Sequence, residues 1–128
     1  MNIKALTKAI HENAVEHGWW EEERSFPEII ALCHSELSEA LEEYRNRFGV
    51  DETYYTCSCE PGNESTSPHV CKFCHSGQKP EGIAIELADC IIRILDYCGK
   101  MDIDIENAIL TKHEYNKTRP YRHGGKVI

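Results

Sequence analysis

Apolar residues recur at helical spacing in four stretches of the chain, separated by turn residues. The first runs from about Ile3 to His17, with Leu6, Ala9, Ile10, Ala14 and Val15 at roughly helical spacing and Gly18 as its stop. The second opens on a capping box: Ser25 can cap, Pro27 fits the first turn, and Glu28 stands three residues after the cap. Phe26, Ile29, Ile30, Cys33, Leu37, Ala40, Leu41 and Tyr44 then form a stripe that ends near Arg45 to Phe48. The third runs from Pro80 or Glu81 to about Tyr97 along Ile83, Ala84, Leu87, Ala88, Ile91, Ile94, Leu95 and Cys98. Ile85, Cys90, Ile92 and Tyr97 widen this stripe almost all the way round, which predicts a helix buried on most sides and stopped at Gly99. The fourth begins near Asp104, carries Ile105, Ala108, Ile109 and Lys112 on one face, and fades before Pro120; residues 121–128 read as irregular. Residues 51–80 hold neither helix nor strand period and are long for a plain loop. The pattern predicts an all-α, four-helix-bundle-like single domain over residues 1–128, with a Cys-rich irregular insert between helices two and three.

Charge narrows the partners. With a formal net charge of −8, the chain is a poor ligand for duplex nucleic acid, whose affinity comes mainly from Lys and Arg. The closing stretch KHEYNKTRPYRHGGK is basic, while the middle of the chain holds most carboxylates. A small anionic substrate is compatible with that division if a metal neutralises the acids. No apolar run approaches the roughly 20 residues needed to span a bilayer, so no membrane partner is expected. The N-terminal segment is amphipathic and lacks an apolar h-region. With seven cysteines, an odd number, this predicts a reducing, cytoplasmic setting in which clustered thiols bind metal.

The acids carry the chemistry. Glu36, Glu39 and Glu43 share one strip of helix two, at about 100° per residue. Glu86, Asp89, Arg93 and Asp96 form the polar strip of the apolar third helix. A lone E-x-x-E is usually a solvated face, and Glu42 and Glu43 are read that way. Carboxylates inside an apolar helix need compensation, which Arg93 supplies for one charge and a divalent cation for more. Oxygen-only ligands favour Mg²⁺, with Mn²⁺ as its substitute. The expected ligands are Glu36, Glu39, Glu86 and Asp89.

The pairing of SELSEALEEYR with GIAIELADCIIRILDYCG resembles the MazG-like, all-alpha nucleoside-triphosphate pyrophosphohydrolases, whose signature is E-x-x-E on one helix and E-x-x-D on the next. Glu36 and Glu39 match the first half; Glu86 and Asp89 match the second. The similarity covers nearly the whole chain outside the cysteine insert, and the basic tail looks alike too. It implies a MazG-type helical bundle that forms a homodimer or tetramer. It also implies hydrolysis of a (deoxy)nucleoside triphosphate between the α and β phosphates, as in dCTP pyrophosphatases and dimeric dUTPases that clear unwanted nucleotides. Glu39 is the expected general base. Lys112, Asn116 and Arg119 resemble family positions that face the substrate, with Lys117 and Arg122 as secondary candidates and Arg93 as a further contact. His11 and Trp20 resemble the His and Trp that contact the base in dCTP-directed relatives; core or interface packing is the competing role for Trp19 and Trp20. A phosphoribosyl-ATP pyrophosphohydrolase is the alternative within this superfamily.

The insert departs from the family pattern. Cys57-x-Cys59, eleven residues, then Cys71-x-x-Cys74, with His69 and His75 alongside, suits a tetrahedral structural Zn²⁺. Such a loop buries little apolar surface, so the metal would supply its folding energy. Unmetallated thiols are the alternative, and an inactive zinc-stabilised interaction module is the competing function. Cys33, Cys90 and Cys98 fall on apolar stripes and are expected in the core.

Overall fold

The computed structural model describes residues 2–57, 64–65 and 78–127. Most of these residues are helical, in α1 (Ile3–Glu16), α2 (Phe26–Arg45), α3 (Ile83–Lys100), α4 (Ile105–Lys117) and a short α5 (Arg122–Gly125). Three brief strands, β1 (Tyr54–Thr56), β2 (Glu64–Ser65) and β3 (Lys79–Glu81), pair antiparallel in the order β2-β1-β3. Two compact units result: one of residues 23–94, the other of residues up to 22 and from 95 onward. Among the described residues, no helix is long and apolar enough to cross a membrane.

In the unit of residues 23–94, α2 starts where the capping residues predict. Ser25 Oγ accepts from the Glu28 N–H at 3.3 Å, and Pro27 sits in the first turn. The Glu28 carboxylate takes Arg24 at 3.1 Å. The core of this unit lies between α2 and α3: Ile29, Cys33 and Ala40 are buried on one, Ile83 and Cys90 on the other. Burial, then the neighbouring Cys90, pushes the Cys33 thiol up. The expectation that α3 is buried on most sides is corrected: Leu87, Ile91, Ile92 and Ile94 are exposed, as are Leu37, Leu41 and Tyr44 of α2. Each apolar stripe is wider than the face its neighbour within the chain can cover.

The insert is also less irregular than its composition suggests. Tyr54 pairs with Glu81, Tyr55 with Pro80 and Thr56 with Lys79, so the two ends of the insert are zipped together. Strands of two or three residues are too short for a period of two to show in sequence. The junction to α3 turns at Gly82, with φ 131°, where an added Cβ would overlap the Glu52 carbonyl oxygen. Gly82→Ala should therefore destabilise the protein by at least about 2 kcal/mol, through both backbone conformation and collision. An unchanged urea midpoint would show that the junction yields freely.

In the other unit, Asn2 caps α1 by accepting from the Ala5 N–H at 3.1 Å. Gly99, expected to stop α3, lies inside it. A Cβ at Gly99 would stand 2.6 Å from His11 Cβ, so its role is to let α1 approach. The helix stops instead at Asp102, whose left-handed φ of 55° lets the Ile103 N–H reach back to the Cys98 carbonyl at 2.9 Å. Asp104 then caps α4, accepting from the Asn107 N–H at 3.0 Å. The tail read as irregular contains α5, a turn with positive φ from Arg122 to Gly125.

Candidate metal centre

In α2, Glu36 lies on the edge of the buried stripe defined by Cys33 and Ala40, so packing carries its carboxylate inward. In α3, Glu86 lies between Ile83 and Cys90 and is driven inward in the same way. One oxygen each from Glu36, Glu86 and Asp89 lie within 4.8 Å of one another. Glu36 is 6% exposed and Glu86 only 3%. Arg93 Nε donates to Glu36 Oε1 at 2.5 Å, offsetting that charge as its place on the strip predicts. Glu86 Oε2 is buried and accepts no hydrogen bond from the described residues.

The electrostatics follow from this crowding. Burial raises the Glu86 carboxyl to about 7, helped by a hydrogen bond to Glu39 and by the charges of Glu39 and Asp89, against Lys79. Burial also raises Asp89, with Glu36 adding and Lys79 and Arg93 opposing. Burial works against the Lys79 ammonium, but Glu81, and then Glu86 and Glu39, outweigh it and hold its pKa above the ordinary value. Glu39 stands outside the converging three yet within hydrogen-bond reach of Glu86, and is exposed. A buried acceptor without a donor costs free energy, and like charges held together cost more. A hard divalent cation relieves both, and the donor set here is all oxygen. The residues fit such an ion.

No known protein family, curated protein or solved structure compared with this chain matches it.

Sequence reasoning missed several residues around these acids. Glu43, read as part of a solvated face, accepts the Tyr54 hydroxyl at 2.8 and 3.0 Å. Its correction comes from the insert, which brings Tyr54 over α2; Glu42 does stay on the surface, beside Arg45. Lys79 and Glu81 arrive on β3, and only strand pairing places them. Arg93, expected to touch substrate, donates to Glu36 and holds that carboxylate in place.

The predicted residues of helix one, helix four and the tail belong to the other unit. Asp96, which the sequence left without a role, is buried and joins two of them. His11 Nδ1 lies 2.8 Å from Asp96 Oδ1, and Trp20 Nε1 donates to the same carboxylate at 2.9 and 3.1 Å. The two rings meet edge-on at 6.0 Å, and Lys100 Nζ lies 5.4 Å from the centre of the Trp20 ring. His11 also lines a cleft of about 680 Å³ with Lys4, Lys8, Glu12 and Ile103. Lys112 Nζ and the Arg119 guanidinium both lie over the Tyr115 ring, at 4.8 and 5.8 Å, and Asn116 is exposed on the same helix. Lys117 pairs with Glu114 at 2.7 Å. Cys33, Cys90 and Cys98 are buried, as expected. Of the zinc ligands predicted, Cys57 is buried, while Cys59, Cys71 and Cys74, with His69 and His75, lie outside the described residues.

Proposed function

We propose that this chain hydrolyses a (deoxy)nucleoside triphosphate between the α and β phosphates, yielding the monophosphate and pyrophosphate. The observation that carries the reading is the convergence of one oxygen each from Glu36, Glu86 and Asp89, together with a buried Glu86 oxygen, Oε2, that no donor among the described residues satisfies. The same positions carry the resemblance to MazG-like enzymes. Glu36, Glu86 and Asp89 would hold Mg²⁺, with Glu39 at its edge. When bound, Mg²⁺ supplies positive charge against the oxygens of the polyphosphate.

The chain's own residues do the rest. Arg93 holds Glu36 in one orientation. Glu39, exposed beside Glu86, orients a water and takes its proton as the water oxygen bonds to the α-phosphorus. The bond from the α-phosphorus to the bridging oxygen breaks, and pyrophosphate leaves with that oxygen. The exposed Leu37, Leu41 and Tyr44 of α2 and Leu87, Ile91 and Ile94 of α3 are proposed to bury against a second copy, giving a homodimer or tetramer by light scattering.

Cation binding should titrate with Glu86. Below about pH 7 its carboxyl holds a proton that a cation must displace. Mg²⁺ or Mn²⁺ affinity should be level at pH 8 and above, then fall by up to about tenfold per pH unit from pH 7 toward 5, with proton release on binding. Affinity unchanged across that window would rule out Glu86 as a ligand.

The reading is tested with a panel of NTPs and dNTPs and Mg²⁺, resolving all products, with Glu86→Ala/Asp89→Ala as control. Monophosphate and pyrophosphate from one or a few substrates, lost in the control, is the expected result. Turnover of phosphoribosyl-ATP alone would move the substrate class, and no turnover of any nucleotide, by protein purified without chelator, would remove the enzymatic reading.

A further inference from the structure

The insert between α2 and α3 is poor in the side chains that build a core. Over residues 58–77, Val70 and Phe73 are the large apolar residues. Apolar burial cannot order a segment of that composition, which needs another source of folding energy. Its ends are nevertheless organised. β1 pairs on one side with β2, Tyr55 with Ser65 and Thr56 with Glu64. On the other side it pairs with β3, as far as Thr56 with Lys79. Cys57 and Gln78 are the next residues beyond that last pair. Both are buried, at 7% and 9% exposure. Neither amide atom of Gln78 has a hydrogen-bond partner among the described residues. A buried amide left unpaired is costly, so the donor held there calls for an acceptor.

The strand order leaves two connections, residues 57–63 between β1 and β2 and residues 66–78 between β2 and β3. Each carries one pair of cysteines, Cys57-x-Cys59 in the first and Cys71-x-x-Cys74 in the second. Extended chain covers at most about 3.6 Å per residue, which keeps Cys59 within about 7 Å of Cys57 and Cys74 within about 14 Å of Gln78, Cα to Cα. Paired strands stand only about 4.8 Å apart, so both cysteine pairs are tethered to one end of the same small sheet. Two closely spaced thiol pairs brought together in this way are the ligand set of a closed tetrahedral metal site.

We propose that Cys57, Cys59, Cys71 and Cys74 bind one structural Zn²⁺, with the Gln78 amide donating to its thiolates. Four thiolates fill the shell and leave no open position, so the ion takes no part in phosphoryl chemistry. They are soft ligands, unlike the all-oxygen set of Glu36, Glu86 and Asp89, and the two sites select different metals. A tetrathiolate carries net negative charge, which N–H donors such as Gln78 Nε2 offset. The ion supplies the folding energy that the insert's composition withholds, and it ties the two connections together. The strand pairing so secured carries Tyr54, whose hydroxyl donates to Glu43 of α2 at 2.8 and 3.0 Å. Zinc binding does not rest on the hydrolase reading.

The test uses the full chain purified without chelator. Metals are counted by inductively coupled plasma mass spectrometry, and Co²⁺ is then exchanged into the site. One zinc per chain is expected, and cobalt should give the intense visible and charge-transfer bands of a tetrahedral tetrathiolate. Cys71→Ser and Cys74→Ser should each lose both signatures, while Cys98→Ala keeps them and all three retain helical circular dichroism. Gln78→Leu should weaken zinc about ten- to a hundredfold in chelator competition. An unchanged affinity overturns the part given to Gln78. Protein without stoichiometric zinc and without cobalt–thiolate bands overturns the site. So do iron with iron–sulfur absorption in place of zinc, disulfides among the four cysteines, or a full equivalent of zinc retained by both serine variants. Zinc present without Mg²⁺-dependent turnover would overturn the hydrolase reading alone.

Discussion

Glu86→Gln should abolish cation-dependent turnover, by at least about a thousandfold, and at the same time make the cation-free protein more stable at pH 8. The two effects have one cause. Glu86 is buried among acids, and its carboxyl titrates at about 7 against an ordinary 4.5. Between those values the folded protein keeps a proton that the unfolded chain has lost. Stability of the cation-free protein therefore falls as pH rises from about 4.5 to about 7, and the full deficit, about 3 kcal/mol, persists above. Gln cannot ionise, so it removes that deficit. A buried amide still needs partners, which leaves a net gain of about 1–2 kcal/mol. Urea denaturation in EDTA at pH 5 and pH 8 checks this: the gain should be present at pH 8 and nearly absent at pH 5. A loss of stability at pH 8 would mean that Glu86 is well solvated as an anion.

Arg93→Met should do the opposite. Arg93 is the cation bonded to Glu36, whose side chain is 8% exposed. Removing it leaves a buried carboxylate among others of its kind, and breaking a buried pair is costly because the remaining charge is uncompensated. Arg93 is itself 28% exposed, so water moderates the loss, to about 2–3 kcal/mol. If the site binds a divalent cation, that ion replaces part of the missing charge. Saturating Mg²⁺ should then raise the melting temperature of Arg93→Met more than that of the parent protein. Equal shifts in both would place the ion away from Glu36.

The helical framework was legible because its signals are local. Ser25, Pro27 and Glu28 announce α2, and Asp104 announces α4. The acids of the triad were legible for a related reason: Glu86 and Asp89 interrupt an apolar helix, so solvation could not explain them. What escaped was decided by tertiary approach. Gly99 looks like a helix stop, but its missing Cβ makes room for His11, and the stop falls to Asp102, a residue with no strong claim to positive φ. Asp96 gains its role only when His11 and Trp20 arrive from 85 and 76 residues away. Glu43 and Glu81 have nothing in common along the chain until β1 pairs with β3. The exposed Leu41 and Ile91 carry a different lesson: periodicity reports that a face is apolar, not whether the same chain covers it.

The most direct test of the central claim is phosphorus NMR of the reaction run in ¹⁸O-labelled water with Mg²⁺ and the nucleotide that turns over fastest. Attack at the α-phosphorus predicts one labelled oxygen in the nucleoside monophosphate and none in the pyrophosphate. Label in inorganic phosphate with a nucleoside diphosphate as co-product, or label in the pyrophosphate, would contradict it.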